Sequence, residues 1–342
     1  MRFRFLGNTG LRVSELCFGA MTFGEGFYGI GEVEQEGATA LVKRAIEGGI
    51  NFFDTADIYC YGQSETILGQ AFKDLGVKRD DVVIATKVRG PMSELASSGK
   101  GDVNNVGLSR KHIIASCEAS LKRLGTDHID LYQIHGWDNL TPVEETMRAL
   151  DDLVHTGKVR YVGCSNLAAW QVVKANAIAK ELGGTPFCSL QAYYSIAGRD
   201  LELDLLPMCR HEGVGVMVWS PLAGGFLTGK YRRGQDNPEG ARRASFDFPP
   251  IDRERAFDLI EVLDGLAKEK GTTIPRLALS WLLHQDGVST VIIGAKKMGQ
   301  LEDNLAATDV QWSASELEKV APVVAPPNTY PHWMLRNFLR KV

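Results

Sequence analysis

No run of apolar residues in this 342-residue chain approaches the ~20 needed to cross a bilayer. The opening residues MRFRFLGNTG lack the apolar centre of a secretory signal, so a cytoplasmic location without membrane contact is expected. Excess charge is also missing. A formal charge of −4 gives no basic surface for nucleic acid, and any bound anion must be held by a local cluster. The six cysteines (Cys17, Cys60, Cys117, Cys164, Cys188 and Cys209) include no CxxC pair and no Cys/His set with zinc-finger spacing. They read as scattered buried thiols, and no metal site is expected. A GxGxxG turn after the first strand is absent, which removes the phosphate loop of a Rossmann domain. Coiled-coil heptads are lacking too, so a monomer is the expectation.

What is present is alternation. Short β-rich runs are expected at Glu15–Phe18, Ile50–Asp54, Val82–Thr86, Ile129–His135, Val159–Ser165, Ser189–Ala192, Val214–Ser220 and Thr290–Ile293. Helical patterns follow near 33–48, 64–73, 110–124, 142–156, 168–182, 202–211, 274–284 and 297–306. Eight βα units imply an α/β fold of the (β/α)8 TIM-barrel type, a single domain over residues 1–342. Phe3–Phe5 and Leu11–Val13 flank Gly7-Asn8-Thr9-Gly10, an N-terminal hairpin whose turn Asn and Gly would shape, placed to close the barrel bottom. Residues 89–109 and 229–253 form long connections after strands, on the face where barrel active sites sit. The segment 254–270 reads as an extra helix, and 313–342 as a helix with an aromatic-bearing tail.

Polar residues that are costly to bury converge at the strand ends: Asp54, Asp57 and Tyr59 after strand two, Lys87 after three, His135 after four, Ser165-Asn166 after five. That set suits hydride transfer to a carbonyl, where the nascent alkoxide needs a proton. Tyr59 would supply it, with Lys87 lowering the phenol pKa from its ordinary ~10, Asp54 anchoring Lys87, and His135 polarising the carbonyl oxygen. Asp57 is given a structural role only.

The ordered blocks LGNTGLRVSELCFGAM, NFFDTADIYCYGQSE, ATK, DLYQIHGWD, GKVRYVGCSN, SLQAYYS, VMVWSPLAGGFLTGKY and VIIGAKKMGQLEDNL resemble the aldo-keto reductases over essentially the whole chain. The resemblance implies a catalytic tetrad of Asp54, Tyr59, Lys87 and His135, an NADP(H) cofactor, and small carbonyl or alcohol substrates. It implies that Ser165, Asn166 and Gln191 bind the carboxamide and that Trp219 lies flat on the nicotinamide ring. Around the pyrophosphate it implies Ser220, Pro221, Leu222 and Gly224, with Leu227, Gly229 and Lys230 in a closing loop. Strand eight ends at Gly294-Ala295-Lys296-Lys297, where free backbone N–H groups, a helix dipole and two lysines suit the adenosine 2′-phosphate. Gln300, Asp303 and Asn304 would line the adenosine. Lys296 stands where arginine is frequent and Asp303 where glutamate is, so NADP over NAD rests on a point charge without a fork. Tyr61, Trp137 and Tyr193, with the 89–109 loop and the Tyr330–Trp333 region, are candidates for an aromatic substrate pocket. The competing expectation is a cofactor-binding regulatory subunit resembling potassium channel β subunits. A metal-dependent barrel hydrolase is disfavoured for want of ligand spacing.

Overall fold

The computed structural model describes residues 1–26, 32–235, 243, 246–326 and 328–338. Eight parallel strands close into a barrel: β3 (Leu16–Gly19), β6 (Phe52–Asp54), β7 (Val83–Val88), β8 (Ile129–Ile134), β9 (Val159–Ser165), β10 (Ser189–Tyr193), β11 (Gly215–Trp219) and β12 (Val288–Ile293), with β12 pairing back to β3. The (β/α)8 expectation therefore holds, and all eight strands overlap their expected runs. Helices alternate with them, and the extra helix falls at Arg253–Lys270. Their ends are set by local chemistry. Ser109, Asp252, Thr273 and Ser313 each accept a backbone N–H of the first turn that begins after them. Helix Val143–His155 buries Val143, Thr146, Met147, Leu150 and Leu153, one stripe at helical spacing.

Strand alternation sorts the core in two. Cys17, Phe52, Val83, Ala85, Leu131 and Met217 form an apolar cluster with Leu6 and Val13 of the N-terminal hairpin, while the alternate residues Phe53, Ile84, Tyr132 and Val218 join the larger cluster packed with the helices. The small cluster fills the barrel. The hairpin, β1 (Phe3–Phe5) paired with β2 (Arg12–Ser14), plugs its bottom. Buried Glu15 takes Arg2 at 2.8 Å and Arg4 at 3.1 Å there. In the hairpin turn only Gly7 adopts positive φ (59°); Asn8 does not, contrary to the sequence expectation. Gly7 is demanded by space as well, since a Cβ would lie 2.4 Å from the Cys188 carbonyl.

Two further features depart from the sequence reading. The 89–109 connection contains a short helix, Glu94–Ser98, capped by Ser93. A small antiparallel pair, β4 (Gly24–Glu25) with β5 (Glu32–Val33), follows β3. The aromatic tail forms helix His332–Phe338. Of the 229–253 loop, residues 236–242 and 244–245 lie outside the described residues. No disulfide forms: five cysteines are buried and Cys188 partly so. No helix among the described residues is long and apolar enough to cross a membrane.

Candidate active site

The period-two register that packs the barrel also aims the chemistry. Above the apolar fill, the next inward positions are Asp54 (two after Phe52), Lys87 (two after Ala85), Gln133 (two after Leu131), Ser165 and Gln191, with Lys87 registered against Gln133 and Gln191 against Ser165. The ring is polar and almost wholly buried: Lys87, Gln133 and Ser165 are inaccessible, Asp54 and Gln191 nearly so.

Lys87 spends all three ammonium protons inside the site. Nζ donates to Asp54 Oδ2 at 2.6 Å, to the Thr55 carbonyl at 2.7 Å and to Tyr59 Oη at 3.3 Å. The other carboxylate oxygen of Asp54 accepts from the side-chain amides of Gln191 (2.8 Å) and Gln133 (3.2 Å). Asp54 is thereby fixed on both sides. His135 sits over Tyr59 edge-to-face, with ring centroids 5.7 Å apart. The four residues expected to act together are thus assembled at one end of the barrel.

The electrostatics differ from the sequence expectation at one point. Burial pushes the Tyr59 phenol above its ordinary value; the Lys87 charge opposes this and does not overcome it. Tyr59 is therefore a protonated phenol across neutral pH, a donor rather than a phenolate. Burial pulls the Lys87 ammonium down, but the Asp54 charge, aided by Tyr59, more than restores it and leaves it raised. Burial, then the charges of Lys87 and Arg89, hold His135 well below the usual histidine range, so its imidazole is neutral. Asp57 is fully buried; burial, then Glu65, raises its carboxyl far above the ordinary range. One oxygen accepts from Ile58 N–H at 2.6 Å and the other has no hydrogen-bond partner.

Backbone strain gathers at the same rim. Cys60, Tyr61, Arg89, Asn166, Ser220 and Ala223, all just beyond strand ends, are non-glycine residues with positive φ. Asn166 braces two loops, donating to the His135 carbonyl at 3.1 Å and accepting from Trp219 Nε1 at 3.0 Å. Trp219 stacks on Phe248 (5.6 Å, 9° between planes) and tilts against Tyr193 at 5.2 Å. After it, Ser220 Oγ accepts from Gly224 N–H, and a Cβ on Gly224 would strike the Phe248 carbonyl at 2.2 Å. Pro221 is buried and Leu222 partly so. Leu227 is completely buried in the core. Gly229 presses on Ile274, where a Cβ would come within 2.8 Å.

At the end of β12 the residues expected around the adenosine are close together but engaged with each other. Gln300 Oε1 accepts from Lys296 N–H (2.8 Å) and Lys297 N–H (3.2 Å), so these two amides are not free as the sequence suggested. Lys296 pairs with Glu32 at 2.8 Å, Asp303 with Arg276 at 2.7 Å, and Asn304 donates to the Gly294 carbonyl at 3.3 Å. Burial, then the nearby Lys296 charge, pulls the Lys230 ammonium below its ordinary value: two cations from different loops approach one another. Of the aromatic candidates, Trp137 pairs with exposed Trp170 (5.8 Å) and Tyr61 is exposed. Tyr330 and Trp333 pair together at 6.0 Å, and among the described residues no ring contact joins them to Tyr61, Trp137 or Tyr193.

Sequence reasoning missed Gln133 and the Thr55 carbonyl. Gln133 was findable: it lies two residues after inward Leu131 on the strand that precedes His135, and Gly163 makes room for it, since a Cβ there would meet Gln133 Cγ at 3.3 Å.

Residues 15–325 match the model of the aldo/keto reductase family. The chain is 39% identical over 314 residues to YrpG, an uncharacterised oxidoreductase of Bacillus subtilis (strain 168), covering 91% of this chain and 92% of that protein. It is 34% identical over 343 residues to the versiconal hemiacetal acetate reductase of Aspergillus parasiticus, covering 97% and 99%. A probable voltage-gated potassium channel subunit beta of Oryza sativa subsp. japonica is 38% identical over 316 residues, covering 91% and 92%.

Proposed function

Since the chain belongs to the aldo/keto reductase family, an oxidoreductase family, we propose that it is an NADP(H)-dependent reductase of aldehydes or ketones, working in reverse on the alcohols. The observation that carries this reading is the buried Asp54–Lys87–Tyr59 chain with His135 beside it.

The cofactor fits the residues at hand. Ser165 Oγ is buried without a hydrogen-bond partner at the polar ring, as a carboxamide ligand requires. Lys230 approaches Lys296, itself paired with Glu32, and an anion such as a 2′-phosphate would offset the repulsion between the two ammonium groups. Ser165, Asn166 and Gln191 would hold the nicotinamide end, with Trp219 as its flat support; Asn166 and Gln191 also brace His135 and Asp54. Ser220, Pro221, Leu222 and Gly224 would line the pyrophosphate, with Leu227 and Gly229 in the loop closing over the cofactor. Gly294 and Lys296, with Lys230 of the closing loop beside them, would take the adenosine 2′-phosphate, while Gln300, Asp303 and Asn304 would line the adenosine. When bound, NADPH supplies the hydride.

The remaining work falls to the protein. Tyr59 donates its hydroxyl proton to the carbonyl oxygen, and Lys87 stabilises the negative charge left on Oη through the 3.3 Å contact. Asp54 keeps Lys87 charged and immobile. Neutral His135 donates a hydrogen bond to the same carbonyl oxygen, orienting it. The relatives named as channel β subunits support a second reading, cofactor binding in the service of a partner protein.

One assay separates the two: NADPH consumption over a panel of aldehydes and ketones, alongside NADPH binding. Turnover is expected, and Tyr59→Phe should lower it by about 10²–10⁴-fold while NADPH affinity is kept. Binding without turnover on any carbonyl selects the regulatory reading. Tighter binding of NADH than NADPH overturns the phosphate assignment.

A further inference from the structure

We propose that Arg89 is a substrate-recognition residue, the two terminal nitrogens of its guanidinium binding a carboxylate carried by the carbonyl substrate. This rests on the reductase reading and narrows its substrate class to carbonyl compounds bearing an acidic group.

Three observations converge on Arg89. Its backbone is strained: φ is 144°, a region that residues with a side chain resist. The strain is imposed from both sides. Gly107 N–H donates to the Arg89 carbonyl at 2.9 Å, and His135 N–H to the Val88 carbonyl at 2.9 Å. Gly90 is pressed so hard on Ile58, the neighbour of Tyr59, that a Cβ would sit 2.9 Å from it. Arg89 is thus wedged at the rim between the loop of the proton donor and the loop of His135.

Secondly, the side chain is aimed. Nε donates to the Trp137 carbonyl at 3.0 Å, and the guanidinium lies across Gly136, about 3.6 Å from where a Cβ would stand. With Nε held, the two terminal nitrogens make no hydrogen bond among the described residues and remain as a fork able to grip a carboxylate with two parallel hydrogen bonds.

Thirdly, the exposed guanidinium makes no ion pair among the described residues, although its charge is felt by Asp138. The same lack of a salt bridge holds for Arg12, Arg148, Arg160 and Arg255, but of these five Arg89 alone stands at the rim beside Lys87 and His135. The nearest acidic candidate, Asp138, is committed elsewhere: it accepts from Leu108 N–H (2.8 Å), Thr141 Oγ1 (2.7 Å) and Leu140 N–H (2.9 Å). A strained, oriented and unpaired arginine one residue beyond the strand of Lys87 is poorly explained by packing. Exposed Tyr61 and half-buried Trp137 offer apolar surface for the body of the same substrate.

The test compares 4-carboxybenzaldehyde with 4-methylbenzaldehyde, with NADPH as reductant. The native protein should favour the carboxylate in kcat/KM by roughly 10–100-fold, chiefly through KM, and the preference should shrink as NaCl rises from about 50 to about 500 mM. Arg89→Gln should collapse the ratio towards one, and Arg89→Lys, a charge without the fork, should restore part of it. Absence of a preference in the native protein overturns the proposal, as does equal loss on both aldehydes in Arg89→Gln, which marks a strut. If Arg89→Gln does not fold, the salt dependence of the native ratio decides. Should neither aldehyde consume NADPH, the reductase reading fails separately. Calorimetric binding of 4-carboxybenzyl alcohol against 4-methylbenzyl alcohol, with NADP+ present, then still upholds or overturns the role of Arg89.

Discussion

Replacing Lys87 by methionine tests how the site is held together, because it removes a charge while nearly keeping the volume. Lys87 is inaccessible, Asp54 almost so, and their charged atoms are 2.6 Å apart. At an effective dielectric constant of ~20 the gross attraction at that distance is about 6 kcal/mol, most of which offsets the cost of desolvating the two ions. Deleting one partner strands the other. Asp54 would keep its amide donors Gln133 and Gln191 but lose its cation, and the Thr55 carbonyl would lose a donor as well. The expected cost is about 3–5 kcal/mol, a large part of the ~5–15 kcal/mol that keeps a domain folded. At about 2–4 °C per kcal/mol this lowers Tm by roughly 6–20 °C. The decisive comparison is the double variant. Adding Asp54→Asn to Lys87→Met removes the orphaned charge, so urea unfolding should recover at least ~1.5 kcal/mol of the single variant's loss. A Lys87→Met cost below ~1 kcal/mol refutes this account of the pair, and so does a double variant weaker than the single one.

The pH profile offers a second check. Because burial raises the Tyr59 phenol and lowers the His135 imidazole, kcat/KM for reduction should be flat through neutrality, with no limb from His135. It should fall only beyond the ordinary phenol range, since burial raises the Tyr59 hydroxyl; a limb near pH ~6–7 contradicts the neutral imidazole. Asp57 gives a third. Its folded-state pKa lies above the unfolded one, so its contribution to stability is present at low pH and is lost as pH rises through the folded value. Asp57→Asn should therefore stabilise the protein more at pH 8 than at pH 4, read as the difference in Tm from the native chain; an equal difference at both pH values removes the argument.

Much of the fold was legible because parallel strands buried on both sides leave continuous apolar runs, as in β3 and β11, separated by longer amphipathic stretches such as helix Val143–His155. The Asp54–Tyr59–Lys87–His135 assembly was legible for a related reason: charged or polar residues at strand ends must be paired or used. What escaped depends on three-dimensional crowding. The sign of the Tyr59 shift turns on how completely neighbours exclude water, which no spacing encodes. The Lys296 and Lys297 amides were expected to be free, but a side chain four residues on, Gln300, folds back over them. Helix Glu94–Ser98 is five residues long, too short for periodicity to show. The Asn8 turn failed because Gly7 alone meets the close approach of Cys188.

The stacking of levels within the barrel has a practical consequence. The hairpin wedge and the greasy filling beneath Asp54 and Lys87 bear the load of keeping the staves upright, while the topmost storey alone meets the reactants. A redesigner can therefore refurnish that upper floor at the rim, at exposed Tyr61 or half-buried Trp137 for instance, without disturbing the foundations, provided Gln133 and Gln191 are kept to hold Asp54.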